Sequence, residues 1–413
     1  FAKKMYRYMI RDNELIGKEI CMVMFEQSVI YGTASEKASL ESGGITAYNY
    51  LIDKIKKLEL TPAQLALDPC SASCVVTSTA GEVLACVTYP GYDNNKMANS
   101  IDAAYYNKLR EDLSLPLYDY ATQQRTAPGS TFKMVSAVAG LEEGVIDTST
   151  LLTCHGIYEK VKPSPKCWIY PAAHGELNVV GGIQNSCNSF FYEVGYRLST
   201  KPDNTYDAEQ GLEKLAKYAD MFGLSETSGI EIVENEPNVS DEIPIPSAIG
   251  QGTNNFTTVG LARYVNTVAN GGTCYNLTLL SKETDSEGNV IKTYAPTIRN
   301  QVQIKESTWD AVHQGMRGVV QNAAVFDKVP MAIAGKTGTA QEKTTRANHA
   351  LFVAYAPYEA PEITIATRIA FGYTSTYAAE ISRDVIKYYF KLEDSDVLLS
   401  GEASEVSGTV IED

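Results

Sequence analysis

Residues 349–370 read HALFVAYAPYEAPEITIATRIA, two runs of β-branched, aromatic and small apolar residues parted by a short connection. Runs of that composition and length read as strands, and so short a connection joins them antiparallel. Just upstream, AIAGKTGTAQ (332–341) is a third strand-like run, so the three form a meander. Far toward the N-terminus, ASCVVTSTAGEVLACVTYP (72–90) is two β-branched runs joined at Ala80-Gly81, the pattern of a β-hairpin.

Between these ends the chain is mostly helical. TFKMVSAVAGLEE (131–143) spaces apolar residues at three and four and stops before Gly144, a natural C-cap. AAEISRDVIKYYFKL (378–392) reads as a closing amphipathic helix able to pack on the sheet. Strands gathered from both ends of a helical middle imply an α+β fold with about five antiparallel strands flanked by helices, not alternating βαβ units. Residues 1–68 form a small leading helical module, in which ITAYNYLIDKIKKLEL (45–60) has helical spacing and Thr61-Pro62 starts another helix. The main domain spans 69–395, and 396–413 is an acidic, serine-rich tail expected to be frayed. The start at Phe1, without methionine, suggests an excised ectodomain.

Composition narrows the function. With 44% hydrophobic and 21% charged residues the 413-residue chain has ordinary globular usage and can bury a sizeable core. Its formal net charge of −15 repels phosphate backbones, which argues against nucleic acid as a partner. No apolar run reaches the roughly 18 residues of a membrane helix.

Ser130 and Lys133, in APGSTFKMV (127–135), lie one helical turn apart, so both face the same way at the positive end of a helix. A serine hydroxyl needs a base to become a nucleophile, and lysine can serve where burial or a neighbouring cation favours its neutral amine. The plain alternative is a capping serine beside a solvated lysine, since S-x-x-K arises by chance on the order of once or twice in a chain this long. Two companions weigh against it. Ser186 and Asn188, in NSCNSFF (185–191), offer a second hydroxyl to relay a proton and an amide to hold a carbonyl. Lys336, Thr337, Gly338 and Thr339, in GKTGTAQ (335–341), put a cation for a carboxylate on a strand, with glycine clearing room for a substrate along the strand edge. A phosphate loop is excluded because Pro330 stands where its first glycine belongs and the lysine enters a strand.

S-x-x-K, S-x-N and K-T-G in this order are the joint signature of penicillin-binding proteins and serine β-lactamases. The chain resembles the class B penicillin-binding proteins over about residues 69–392, and its segments 81–95, 167–179, 249–272 and 347–357 resemble those of elongation-type members. The resemblance implies a peptidoglycan D,D-transpeptidase acting outside a bacterial cell membrane. Its substrates would be stem peptides, as D-Ala-D-Ala donor and amine acceptor. It also implies acylation by β-lactam antibiotics, a membrane glycan polymerase of the elongation machinery as partner, and catalysis without a cofactor. In the roles so implied, Ser130 is the nucleophile, Lys133 its base, and Ser186 the proton relay. Asn188 binds the peptide amide, Lys336 keeps Lys133 neutral, and Lys336, Thr337 and Thr339 hold the donor carboxylate.

The rivals on the same fold are a serine β-lactamase, a β-lactam sensor and a D,D-carboxypeptidase; a non-catalytic scaffold is a rival from another class. Class A hydrolases activate water through an E-x-x-L-N segment, and none is found here.

Cys154, Cys167, His174 and Cys187 form a second constellation, C-x12-C-x6-H-x12-C, whose centre of interest is Cys187 inside the S-x-N motif. Three thiolates and an imidazole match a structural zinc sphere in ligand type, although not a standard finger in spacing. The resemblance adds that elongation-type relatives hold zinc through aspartate, cysteine and histidine at similar positions. A Cys154–Cys167 disulfide with Cys187 buried is the alternative.

Overall fold

The computed structural model describes Tyr8 and residues 15–27, 29–342 and 345–400; the rest of the expected acidic tail, 401–413, lies outside the described residues. The chain divides into two compact units, Phe1–Cys70 with Tyr92–Pro116, and Ser71–Gly91 with Leu117–Asp413. No helix of the described residues is long and apolar enough to cross a membrane.

In the first unit, helices α1 (Gly17–Glu26), α2 (Ala34–Ser42) and α3 (Ala47–Lys56) surround a small core containing Cys21, Leu40 and Tyr50, and α4 (Ala103–Glu111) belongs to the same unit. Thr33 starts α2 by a capping box: its hydroxyl accepts from the Glu36 N–H at 3.1 Å while the Glu36 carboxylate accepts from the Thr33 N–H at 2.7 Å. The start signal at Thr61-Pro62 yields only a 3-10 turn, Pro62–Leu65, because Ala66 at φ +54° takes the left-handed conformation that ends it.

The second unit is built on strands β1 (Ser71–Ser78), β2 (Val83–Tyr89), β3 (Ala334–Ala340), β4 (His349–Ala356) and β5 (Ile363–Ala370). They form one sheet in the order β2-β1-β5-β4-β3, every neighbour pair antiparallel. The hairpin thus joins the meander through β1 and β5, paired from Ser71 with Ala370 to Ser78 with Ile363. Alternate side chains feed two cores. Leu351, Val353 and Ala366 join Val135 and Val138 of α5 (Lys133–Glu142) and Val265 of α7 (Thr258–Ala269), whereas Ala350, Phe352 and Ile365 join Ala378 and Ile386 of α9 (Ser375–Tyr389). The sheet is therefore sandwiched between helical layers. Two further helices, α6 (Asn188–Leu198) and α8 (Glu306–Gln321), extend the first core.

Two local details differ from the sequence reading. Residues 129–132 form a 3-10 turn, so α5 begins at Lys133, with Ser130 in the turn before it. The closing helix starts at Ser375 because the Thr374 hydroxyl caps it, accepting from the Thr376 N–H at 3.3 Å. The last described residues, Ser395–Ser400, form a short helix.

Candidate active site

The turn carrying Ser130 is pinned from three sides. The Gly129 N–H donates to the Gly250 carbonyl at 3.1 Å, Thr131 Oγ1 donates to the Pro128 carbonyl at 2.8 Å, and the Tyr264 hydroxyl of α7 donates to the Thr131 carbonyl at 3.0 Å. It also presses directly on β3. A Cβ on Gly129, which sits at φ +52°, would lie 2.3 Å from the Thr339 carbonyl oxygen, and one on Gly338 would lie 2.7 Å from Thr131 Cγ2. The glycine of the K-T-G run is thus required chiefly by the serine turn, a closer constraint than the room for substrate that the sequence suggested.

Behind that turn lies a buried polar knot. Lys133 and Lys336 are both 0% exposed. Lys133 Nζ donates to the Ser186 carbonyl at 2.7 Å and Asn188 Oδ1 at 2.6 Å, and lies 3.2 Å from Ser186 Oγ. Lys336 Nζ reaches the same Ser186 Oγ at 2.8 Å and the Thr337 carbonyl at 3.0 Å. One hydroxyl therefore joins two amines from elements far apart in sequence. Ser186 is held for this at φ +49°, a conformation that costs a non-glycine residue about 1–2 kcal/mol. Asn188 opens α6, whose N-cap is Cys187, with Sγ accepting from the Phe190 N–H at 3.4 Å.

Above the knot is a cleft of about 240 Å³ lined by Ser130, Asn188 and Thr339. All three predicted motifs converge on it. Lys166, Tyr192, Gln251, Gln341 and Asn348 also line it and had no predicted role. Gln251 and Asn348 lie inside segments already singled out by resemblance, so a signal existed; Lys166 and Tyr192 carry no motif at all. Because β3 is the sheet edge on this side, its outer backbone faces the cleft region and can pair with an extended peptide.

The cysteine constellation also assembles. The ligand atoms of Cys154, Cys167, His174 and Cys187 lie within 4.8 Å of one another, with Cys167 Sγ 4.0 Å from Cys187 Sγ and 3.6 Å from His174 Nδ1. All are free of disulfides, so the expected alternative of a Cys154–Cys167 bridge is not formed. Contact with the Cys187 thiol, against burial and with help from His174, draws the Cys167 thiol below its ordinary range, and Cys187 is raised in turn. The Cys167 contact likewise raises His174, against the opposing effect of burial. The group is a nest of three cysteine sulfurs and one imidazole directly behind the Ser186–Asn188 wall.

Comparison with known proteins agrees with this geometry. The penicillin binding protein transpeptidase domain family matches residues 72–387. Peptidoglycan D,D-transpeptidase MrdA of Haemophilus influenzae is 30% identical over 380 residues, covering 80% of this chain and 53% of the relative. The chain spans about half the length of the curated relatives it matches. The crystal structure of Pseudomonas aeruginosa PBP2 in complex with WCK 5153 is 25% identical with a TM-score of 0.67, covering 81% of this chain and 77% of that one. A structure describing polymerization and crosslinking by a peptidoglycan synthase complex is 26% identical with a TM-score of 0.69, covering 79% of this chain and 56% of that one. With the three motifs gathered on one cleft of the matching fold, the chain belongs to the transpeptidase-domain family of the penicillin-binding proteins, and its relatives are the elongation-type class B members.

Proposed function

We propose that this chain is the catalytic part of a peptidoglycan D,D-transpeptidase that cross-links stem peptides through an acyl-enzyme on Ser130, and that β-lactams acylate the same hydroxyl. The observation that carries this reading is Ser186 Oγ, 3.2 Å from Lys133 Nζ and 2.8 Å from Lys336 Nζ, beneath a cleft lined by Ser130, Asn188 and Thr339. Burial beside a second amine favours the neutral form of one lysine. Lys133 in that form takes the proton from Ser130 Oγ as it attacks the carbonyl between two terminal D-alanines. The Ser130 ester forms, the peptide bond breaks, and Ser186 delivers a proton to the departing D-alanine nitrogen. Lys336, Thr337 and Thr339 hold the donor carboxylate, and Asn188 holds the peptide amide. The N–H groups of Ser130 and Thr339 receive the oxyanion, each such donor being worth about 3 kcal/mol. An amine from a neighbouring stem then displaces Ser130 and closes the cross-link. These side chains supply the chemistry without a cofactor.

Zinc at Cys154, Cys167, His174 and Cys187 is part of the proposal, as a structural ion only. A tetrahedral ion with bonds of about 2.3 Å has ligand-to-ligand edges of about 3.8 Å. The 4.0 and 3.6 Å separations from Cys167 Sγ fit that size, and a drawn-down thiol fits the donor chemistry. Bound there, it would brace the wall that carries Ser186 and Asn188.

We further assign the protein to the extracytoplasmic side of a bacterial cell membrane, where its substrate lies. Residues 1–68 then read as part of a pedestal. The synthase complex among its structural neighbours supports a glycan polymerase of the elongation machinery as partner. A fluorescent penicillin tests the central claim. Rapid labelling of wild type with decay over hours is expected, and Ser130→Ala should not label. Turnover within seconds would make the chain a β-lactamase, and equal labelling of both proteins would refute the assignment.

A further inference from the structure

Past the end of β3 the catalytic cleft opens into a larger cavity of about 720 Å³, the two sharing Gln251 and Gln341. A donor peptide whose carboxylate is held at Thr337 and Thr339 runs antiparallel to β3. At about 3.3 Å per residue, its third stem residue, just before the two terminal alanines, passes Ala340 and reaches Gln341 and Glu342. Its side chain therefore enters the larger cavity.

Among the described residues that line it, the charged side chains are Arg125 and Glu342, set among amides and hydroxyls. Arg125 is exposed, and one of its five N–H donors is used on the Glu236 carbonyl at 2.7 Å. The Glu342 carboxylate accepts from His349 Nε2 at 2.8 Å, since His349 Nδ1 accepts from the Phe371 N–H at 3.2 Å. His349 is buried and stays uncharged at neutral pH, burial pushing it down to about 4. Walls that bring the Arg125 guanidinium and the Glu342 carboxylate to one cavity match a side chain that ends in both a carboxylate and an ammonium.

We propose that this cavity is the subsite for the third residue of the donor stem, and that Arg125 and Glu342 select a diamino-dicarboxylic residue over a plain diamino acid. Arg125 takes the terminal carboxylate and Glu342 the ammonium; a lysine side chain offers only the second. The inference rests on the transpeptidase reading, and the experiment separates the two.

Donor pentapeptides ending in D-Ala-D-Ala, with meso-diaminopimelate or L-lysine third, are used to protect the whole chain from fluorescent penicillin. The concentration halving the labelling rate is read for wild type, Arg125→Ala, Arg125→Lys and Glu342→Gln. Wild type is expected to be protected by the diaminopimelate peptide at about tenfold lower concentration, the effect of one charge-assisted contact. Arg125→Ala should lose that preference by weakening the diaminopimelate peptide alone, Arg125→Lys should recover part of it, and Glu342→Gln should weaken both peptides. Labelling without peptide should be the same in all four. Equal or absent protection of wild type by the two peptides, or an Arg125→Ala effect shared by both, overturns the subsite. A wild type that penicillin fails to label overturns the transpeptidase reading instead.

Discussion

Ser186 shows how one residue is placed against its own backbone preference to do chemistry. Its hydroxyl bridges two buried amines, and its φ of +49° is what turns it there. Ser186→Ala and Ser186→Gly both remove the proposed relay, and penicillin acylation measured by stopped flow should fall about a hundredfold in each. The two should differ in stability, glycine melting higher by the equivalent of about 1 kcal/mol because it adopts positive φ freely. Equal melting would remove the strain argument. His349 gives a pH signature of its own. Burial, helped by Arg368 and Arg346 and opposed by Glu342, lowers it from 6.5 to about 4, so the unfolded chain takes up a proton that the folded one refuses. Its contribution to stability is complete above about pH 6.5, falls as pH drops, and is lost at about pH 4, amounting to roughly 3 kcal/mol. Urea midpoints at pH 7.5 and 5.0 should converge more in His349→Gln than in wild type. None of this was visible in the sequence, where His349 is only the first letter of a strand.

At the level of elements, the meander and hairpin were legible because β-branched runs with tight connections have few other ways to fold. Their alternation was not, because β4 and β5 are buried along their whole length and their hydrophobic pattern is continuous. Only the packing reveals that Phe352 belongs to the core under α9, stacked 5.5 Å from Phe326, while its neighbour Val353 faces α5 and α7. Phe352→Ala should cost about 3–5 kcal/mol in chemical denaturation, and its acylation rate should hold below the transition, since the residue is on the face away from the serine turn. Gly338→Ala should behave the opposite way. A Cβ there meets Thr131 Cγ2 at 2.7 Å and the Pro128 carbonyl at 2.8 Å, so the serine turn must move off β3. Acylation should drop at least tenfold with a stability loss of about 1–3 kcal/mol. An unaltered acylation rate would show that the turn tolerates the shift.

For the molecule as a whole, the cysteine nest joins segments 154–187 behind the catalytic wall, so an ion there would act on stability before chemistry. Protein purified without chelator should contain about one zinc per chain and melt several degrees lower after chelation, with Cys167→Ser matching the stripped form. Metal-free protein with the same melting temperature would remove the ion from the account. The sequence by itself determined the inventory: three motifs in order, strand runs at both ends, and four metal-type ligands. Those follow from composition and local spacing, which a linear pattern records. What only the tertiary structure decided is which groups share atoms. Lys133 and Lys336 are brought to the Ser186 hydroxyl where the serine turn clasps β3. Contacts of that range are fixed by packing two helical layers on one sheet, and no local spacing encodes them.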